Sequence, residues 1–236
     1  MAQRSVAVLT GDIVGSTSVG SRAQLRKAML EAFAALSRKG GGLVRPFEVY
    51  RGDSFQGVMD PVQALHAALL VRARLRQGFL AVPKSVSKGK PKGPARAASA
   101  LASLPDARIS IGIGTVSFRS AKVIESDGEA FRASGRELDA LARTGGRLAI
   151  STPWEDVDKE FAATGKLLDT LVGSWSAASA QAMFLHLSKG LNQVEISAKL
   201  GISQPAVHKR MAAAGLDAVN AALHRYADRI AQHLAQ

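Results

Sequence analysis

The chain has 236 residues, of which 47% are hydrophobic and 21% charged, with no cysteine, a formal charge of +12 and an isoelectric point near 10.5. That length and apolar content fit one sizeable core plus a smaller second domain, and the missing cysteine excludes disulfides and thiolate metal sites. No run of about 18 apolar residues is present, and the opening MAQRSVAVLTGDIVGST lacks a signal-peptide pattern, so no membrane partner and a cytoplasmic location are expected, while the positive charge favours an anionic partner.

In chain order, residues 5–9 read as a short apolar strand. Residues 20–38 carry helical spacing at Leu25, Met29, Leu30, Phe33 and Leu36 and stop at the glycine run 40–42. Leu43–Tyr50 and Ser54–Met59 flank Arg51-Gly52-Asp53 as a hairpin, and Pro61 opens a helix with Leu65, Leu69 and Leu70 on its apolar face. A stretch at about 82–105 contains KSVSKGKPKGPAR, with five cations, two prolines and no acid, which reads as a mobile basic loop, either a solvated insertion or a nonspecific phosphate-binding arm. RISIGIGT (Arg108–Thr115) alternates as a half-buried strand, with residues 116–124 as its expected hairpin partner. A helix from 128 to 143 and a strand at 147–150 follow. This order predicts an α+β, ferredoxin-like palm with a mainly antiparallel sheet and helices on one face.

Beyond Pro153 the pattern is helical, and an all-α helix-turn-helix domain is expected there. The predicted organisation is a palm over 1–152, a connector over 153–165 and a helical domain over 166–236. Within KGLNQVEISAKLGISQPAVHKRMAAAG, a first helix at 193–200 buries Ile196 and Leu200, Gly201 permits a left-handed turn, and Ile202 points inward. Ser203 reads as an N-cap and Pro205 sits in the first turn of a second helix. With Val207 and Met211 inward, Ser203, Gln204, Ala206, His208, Lys209 and Arg210 remain for a DNA groove: Gln suits an adenine edge, Arg a guanine or a phosphate, Lys the backbone. The alternative is a helical subdomain without DNA contact, or one used for dimerisation. Residues 217–234 place Leu223, Tyr226, Ile230 and Leu234 on one side as packing or dimer surface, and a homodimer is expected.

In the palm, Asp12 ends the first strand in LTGDIVGST and Asp53 tips the hairpin in YRGDSFQG. Two carboxylates brought together at a sheet edge repel, and a hard divalent cation, magnesium or manganese with a nucleotide phosphate, relieves the repulsion. The alternative is that each aspartate caps its own turn. Gly15, Ser16 and Thr17 lead into the first helix and offer small side chains and free backbone N–H groups to a phosphate. The five histidines show no metal-ligand spacing, and there is no phosphate loop of the Gly-x-x-x-x-Gly-Lys-Ser/Thr type and no nucleophile elbow.

LTGDIVGST resembles the first metal motif of class III nucleotide cyclases, RGDSF their second metal hairpin and the related GGDEF signature, and RISIGIGTV their Gly-Ile-x-x-Gly strand. The whole arrangement, with GDIVGS, RGDSFQG, GIGIG, a SDGEAF helix and a C-terminal helix-turn-helix, is similar to the SatD family of bacterial proteins over nearly the full length. The resemblance implies a nucleotide-cyclase-like palm with Asp12 and Asp53 as metal ligands and the Ile13 carbonyl as a third. It implies Arg132 and Arg136, one turn apart in GEAFRASGREL, as phosphate contacts; the alternative is a solvated helix face. The Asn expected one turn before Arg136 is replaced by Arg132, and the purine-selecting Lys before the hairpin is absent, with Val49 and Tyr50 in that neighbourhood. The function expected is therefore a DNA-binding transcriptional regulator whose palm binds a nucleotide or other ligand. The alternative is a metal-dependent nucleotidyl cyclase or transferase with the helix-turn-helix as regulatory module.

Overall fold

The computed structural model describes residues 5–14, 22–37, 42–50, 53–78, 104–117 and 123–236. Five strands, β1 (Val6–Val14), β2 (Leu43–Tyr50), β3 (Ser54–Met59), β4 (Asp106–Gly114) and β5 (Leu148–Ser151), form one mixed sheet in the order β2-β3-β1-β4-β5. All neighbours are antiparallel except β4 and β5, which are parallel. Eight α-helices are described: α1 (Arg22–Leu36), α2 (Ala64–Arg76), α3 (Glu129–Thr144), α4 (Glu155–Gly173), α5 (Ala177–Lys189), α6 (Gln193–Leu200), α7 (Gln204–Ala213) and α8 (Leu216–Leu234). Asp60 caps a single 3-10 turn, Pro61–Gln63, and it is this turn, not α2 itself, that the proline opens.

β1 runs through the glycine and aspartate of LTGDIV to Val14, five residues beyond the expected end, because β3 and β4 flank it on both sides and satisfy its backbone along that length. Its odd residues Ala7, Leu9 and Ile13 share a core with Leu25, Met29 and Phe33 of α1 and Leu65 and Leu69 of α2. Its even residues Val6 and Val8 pack with Val58, Ala130 and Phe131. The helices are thus not confined to one face, since α3 covers the side opposite α1 and α2. Close approach of α3 depends on Gly112, where a Cβ would lie 2.3 Å from the Ala130 carbonyl oxygen and 2.5 Å from the Ser134 nitrogen. Polar side chains complete that contact: the Thr10 and Ser134 hydroxyls are 2.9 Å apart, and Ser110 Oγ donates to the Ser134 carbonyl at 2.6 Å.

The hairpin partner expected for β4 at 116–124 is not a strand of this sheet among the described residues. β4 already has β1 on one edge and β5 on the other, leaving an isolated bridge between Ser117 and Asp127 and a 3-10 turn at Val123–Glu125.

The C-terminal helices close the α1/α2 side. Ala180, Met183 and Leu187 of α5 and Val219, Tyr226 and Ile230 of α8 belong to the same core as the sheet. Residues 155–165 of the expected connector are the first half of α4. The apolar side of α8 is turned inward, with Tyr226 and Ile230 fully buried and Leu223 partly so, which makes it intramolecular packing; Leu234 alone of the four is exposed. Arg225 and Arg229 hold α8 to Glu160 and Asp156 of α4.

A buried charge network, which sequence reasoning passed over, ties the sheet to these helices. Arg72, fully buried, donates through Nε and Nη2 to the two oxygens of Asp106, both at 2.9 Å, and its Nη1 lies 2.9 Å from Asp169. Arg76 reaches Asp106 at 3.2 Å and donates to the carbonyls of Gly173 at 2.7 Å and Trp175 at 3.1 Å. Burial works to raise the Asp106 pKa, but the charge and hydrogen bonds of Arg72 outweigh it and hold the carboxyl below its ordinary value.

Candidate functional site

Most of the residues singled out from sequence fall in two regions, which lie in different parts of the fold. The first is the α6–α7 pair. Asn192 caps α6, its side chain accepting from Val194 and Glu195 N–H while Glu195 returns a bond to the Asn192 N–H, so α6 begins with a reciprocal capping box. Gly201, at φ 63°, ends α6 in the left-handed region and turns the chain within three residues into α7. Ser203 holds the N-cap position in extended conformation, but its side chain makes no capping bond; Pro205 occupies the first turn.

A small core of its own pins this pair: Ile196, Val207 and Met211, all fully buried or nearly so, with Ala182 and Leu185 of α5, and Leu200 and Ile202 against them. That packing fixes which side of α7 faces out. Ser203, Gln204, His208 and Lys209 are exposed, and Ala206 and Arg210 are half-buried beside them. Gln193 of α6 approaches His208 Nδ1 at 3.4 Å, so the outer face of α7 is continuous with the start of α6. Neither Lys209 nor Arg210 enters an ion pair among the described residues. The far end of α7 is anchored: the fully buried Trp175 donates its indole N–H to the Ala214 carbonyl at 2.8 Å. Trp175 is also the residue whose carbonyl receives Arg76, which links α7 through two hydrogen bonds to the buried network at the start of β4.

The second region is the end of β1. Strand register sets Asp12 opposite Ser54 of β3 and opposite Arg108 of β4, and the Ile13 N–H donates to the Asp53 carbonyl at 3.1 Å, so Asp12 and Asp53 stand at the same end of the sheet. The cross-strand partner engages the Asp12 carboxylate. Arg108 Nε donates to one carboxylate oxygen at 2.9 Å and Nη2 to the other at 2.6 Å, with each side chain about a quarter exposed. Hydrogen bonding to Asp12 holds the Arg108 pKa above its ordinary value.

Among the described residues no three His, Asp or Glu side chains come together in a way that could hold a metal ion. At the end of β1 both oxygens of the Asp12 carboxylate already accept from Arg108, a permanent cation. Gly15, Ser16 and Thr17, the expected phosphate-binding turn, lie outside the described residues, as do Arg51 and residues 82–103 of the basic loop.

Arg132 and Arg136 are exposed and share a shallow pocket with Ile113, Glu129, Ala133, Ser151, Thr152 and Pro153. Neither Asp12 nor Asp53 is among the residues that line that pocket. Arg132 pairs with Asp127 at 3.1 Å in the open.

No family model matches the chain, and no curated protein matches it. Among solved structures it is similar to a bacterial light-regulated adenylyl cyclase at 12% identity and TM-score 0.38, over 62% of this chain; the chain spans only 42% of that structure's length. What is shown is an α+β protein with a mixed five-stranded sheet and, among the described residues, no helix long and apolar enough to cross a membrane.

Proposed function

We propose that this protein is a DNA-binding regulator, in which α6 and α7 act as a helix-turn-helix and the cyclase-like palm serves as its ligand-binding or scaffolding partner, in the manner of the SatD-like proteins that the sequence resembles. One observation carries the reading. α7 buries Val207 and Met211 and presents Ser203, Gln204, His208 and Lys209 outward, with Ala206 and Arg210 at the margin. A helix of that kind meets a major groove with a neutral amide at its N-terminal end, where base edges are read, and with cations further along, where phosphates lie. Ala206 leaves room for close approach. The chain's +12 charge supplies the long-range attraction that nonspecific association needs.

The test separates base reading from phosphate binding. Selection from randomised duplexes with the purified full chain should return a preferred sequence, and Gln204→Ala should relax the preference at one or two positions, each base contact being worth about 1–3 kcal/mol. Lys209→Ala should weaken binding to all duplexes alike. Recovery of no preferred sequence, together with affinity indifferent to both substitutions, would overturn the reading.

A further inference from the structure

We propose that Arg108 occupies, at the end of β1, the place that a nucleotide-cyclase-like palm would give to a divalent cation, so that Asp12 is committed to a fixed guanidinium and this end of the palm works without metal.

β1 and β4 pair so that Asp12 and Arg108 are directly opposite, and opposite charges at a cross-strand position meet without reorganising either backbone. Their planar groups then align: two parallel charge-assisted bonds, 2.9 Å and 2.6 Å, use both oxygens of the carboxylate. A hard cation at Asp12 would have to share an oxygen that already accepts from Arg108 and to bind close to that positive charge, which weakens the site. That guanidinium cannot lose its proton in the physiological range.

The charge count points the same way. Asp12 with Asp53 alone would present two negative charges, the condition that recruits a dication. Asp12, Asp53 and Arg108 together present one. Among the described residues no group of three acidic or histidine side chains comes together that could hold a metal ion. Arg108 is the first residue of RISIGIGT, the segment that in sequence reads only as an alternating strand; its role emerges once that strand lies beside β1.

The proposal is independent of DNA recognition by α7, and its experiment uses no DNA. Manganese is the probe, followed by the electron paramagnetic resonance signal of the free aqueous ion during titration of the full-length protein. The wild-type chain should take up no manganese up to about 1 mM, the weak end of protein sites for such ions. Arg108→Met, which removes the charge but keeps an extended side chain, should acquire one site at least about tenfold tighter, and Asp12→Asn added to it should abolish that site. Stoichiometric uptake by the wild-type protein that disappears in Asp12→Asn overturns the proposal and requires only the native chain and one isosteric variant. Failure of folded Arg108→Met, judged by an unchanged far-ultraviolet spectrum, to gain any site also overturns it, because Arg108 would then not be what keeps metal away.

Discussion

Removing the Asp106 carboxylate should be among the most damaging single changes in the molecule. Asp106 is 1% exposed and accepts from Arg72 and Arg76 as well as from the Ala107 N–H. Asp106→Ala leaves the fully buried Arg72 with only Asp169, whose Oδ1 lies at ion-pair distance but off the direction of a hydrogen bond. Stranding one partner of a buried pair costs about 3–5 kcal/mol, a large part of a typical total of about 5–15 kcal/mol. The account predicts a loss in that range, read from the midpoint of urea unfolding at pH 7 by far-ultraviolet circular dichroism and by tryptophan fluorescence. The two probes should shift together, since Arg76 joins Asp106 to the carbonyls of Gly173 and Trp175 and the sheet and C-terminal helices share one core. Replacing both charges, Arg72→Met with Asp106→Leu, should recover part of the single-variant loss, because Arg72 is then no longer a stranded buried charge, while Arg76 still lacks its carboxylate and keeps only the Gly173 and Trp175 carbonyls. The sign with pH is fixed as well. The folded Asp106 pKa lies below its unfolded value, so the carboxylate's contribution is complete above about pH 4 and fades as pH falls through the folded value. A loss under about 1 kcal/mol for Asp106→Ala would refute the assignment of this network as a structural junction.

Three smaller predictions follow from single contacts. Gly112→Ala puts a methyl group against backbone atoms of α3 at 2.3 and 2.5 Å, and the helix has to shift; a loss of about 1–3 kcal/mol is expected in thermal unfolding, and an unchanged melting temperature would contradict the packing. Asn192→Ala removes the capping box of α6 and should cost about 1 kcal/mol, visible as faster amide exchange at Val194 and Glu195 while exchange in the sheet stays as it was. His66, whose Nε2 is 3.0 Å from the Leu187 carbonyl, has its pKa lowered by burial, with the nearby His186 adding to the effect. Its folded pKa is below the unfolded one, so stability should fall as pH drops below about 6.5, and His66→Gln should flatten that segment of the curve; an identical slope in the variant would assign the proton uptake elsewhere.

What the sequence showed and what it hid divide along the range of the interactions. The β2–β3 hairpin, its boundaries included, was legible because alternation and the turn residues Gly52 and Asp53 are local signals. The α6–Gly201–α7 unit was legible for the same reason: a left-handed glycine between two short amphipathic runs specifies its own turn. The end of β1 was not, because Gly11 and Asp12 disfavour a strand in isolation and are held in one only by neighbours on both sides. Side-chain partners across the sheet were the least accessible. Asp12 read as one of a pair of metal-binding carboxylates with Asp53, or as a turn cap, and its partner Arg108 became visible only once the β1–β4 register placed it opposite, although an Arg at the head of an alternating strand is a signal for such a pairing. Arg72, Arg74 and Arg76 in RARLR look like the solvated end of a helix. Their burial depends on α4 and α5 arriving about a hundred residues later in the chain. Placing α3 on the second face likewise required the close approach at Gly112, which periodicity does not encode.

The central claim is that the outward face of α7 meets the phosphates of a duplex, and fluorescence anisotropy with a labelled double-stranded DNA over a series of salt concentrations tests it most directly. The account predicts a steep fall of log affinity with log salt, and for Lys209→Ala/Arg210→Ala a weakening of about tenfold or more with a slope shallower by about two. A wild-type affinity that ignores salt, or a double variant that binds with the same affinity and slope as the wild type, would contradict it.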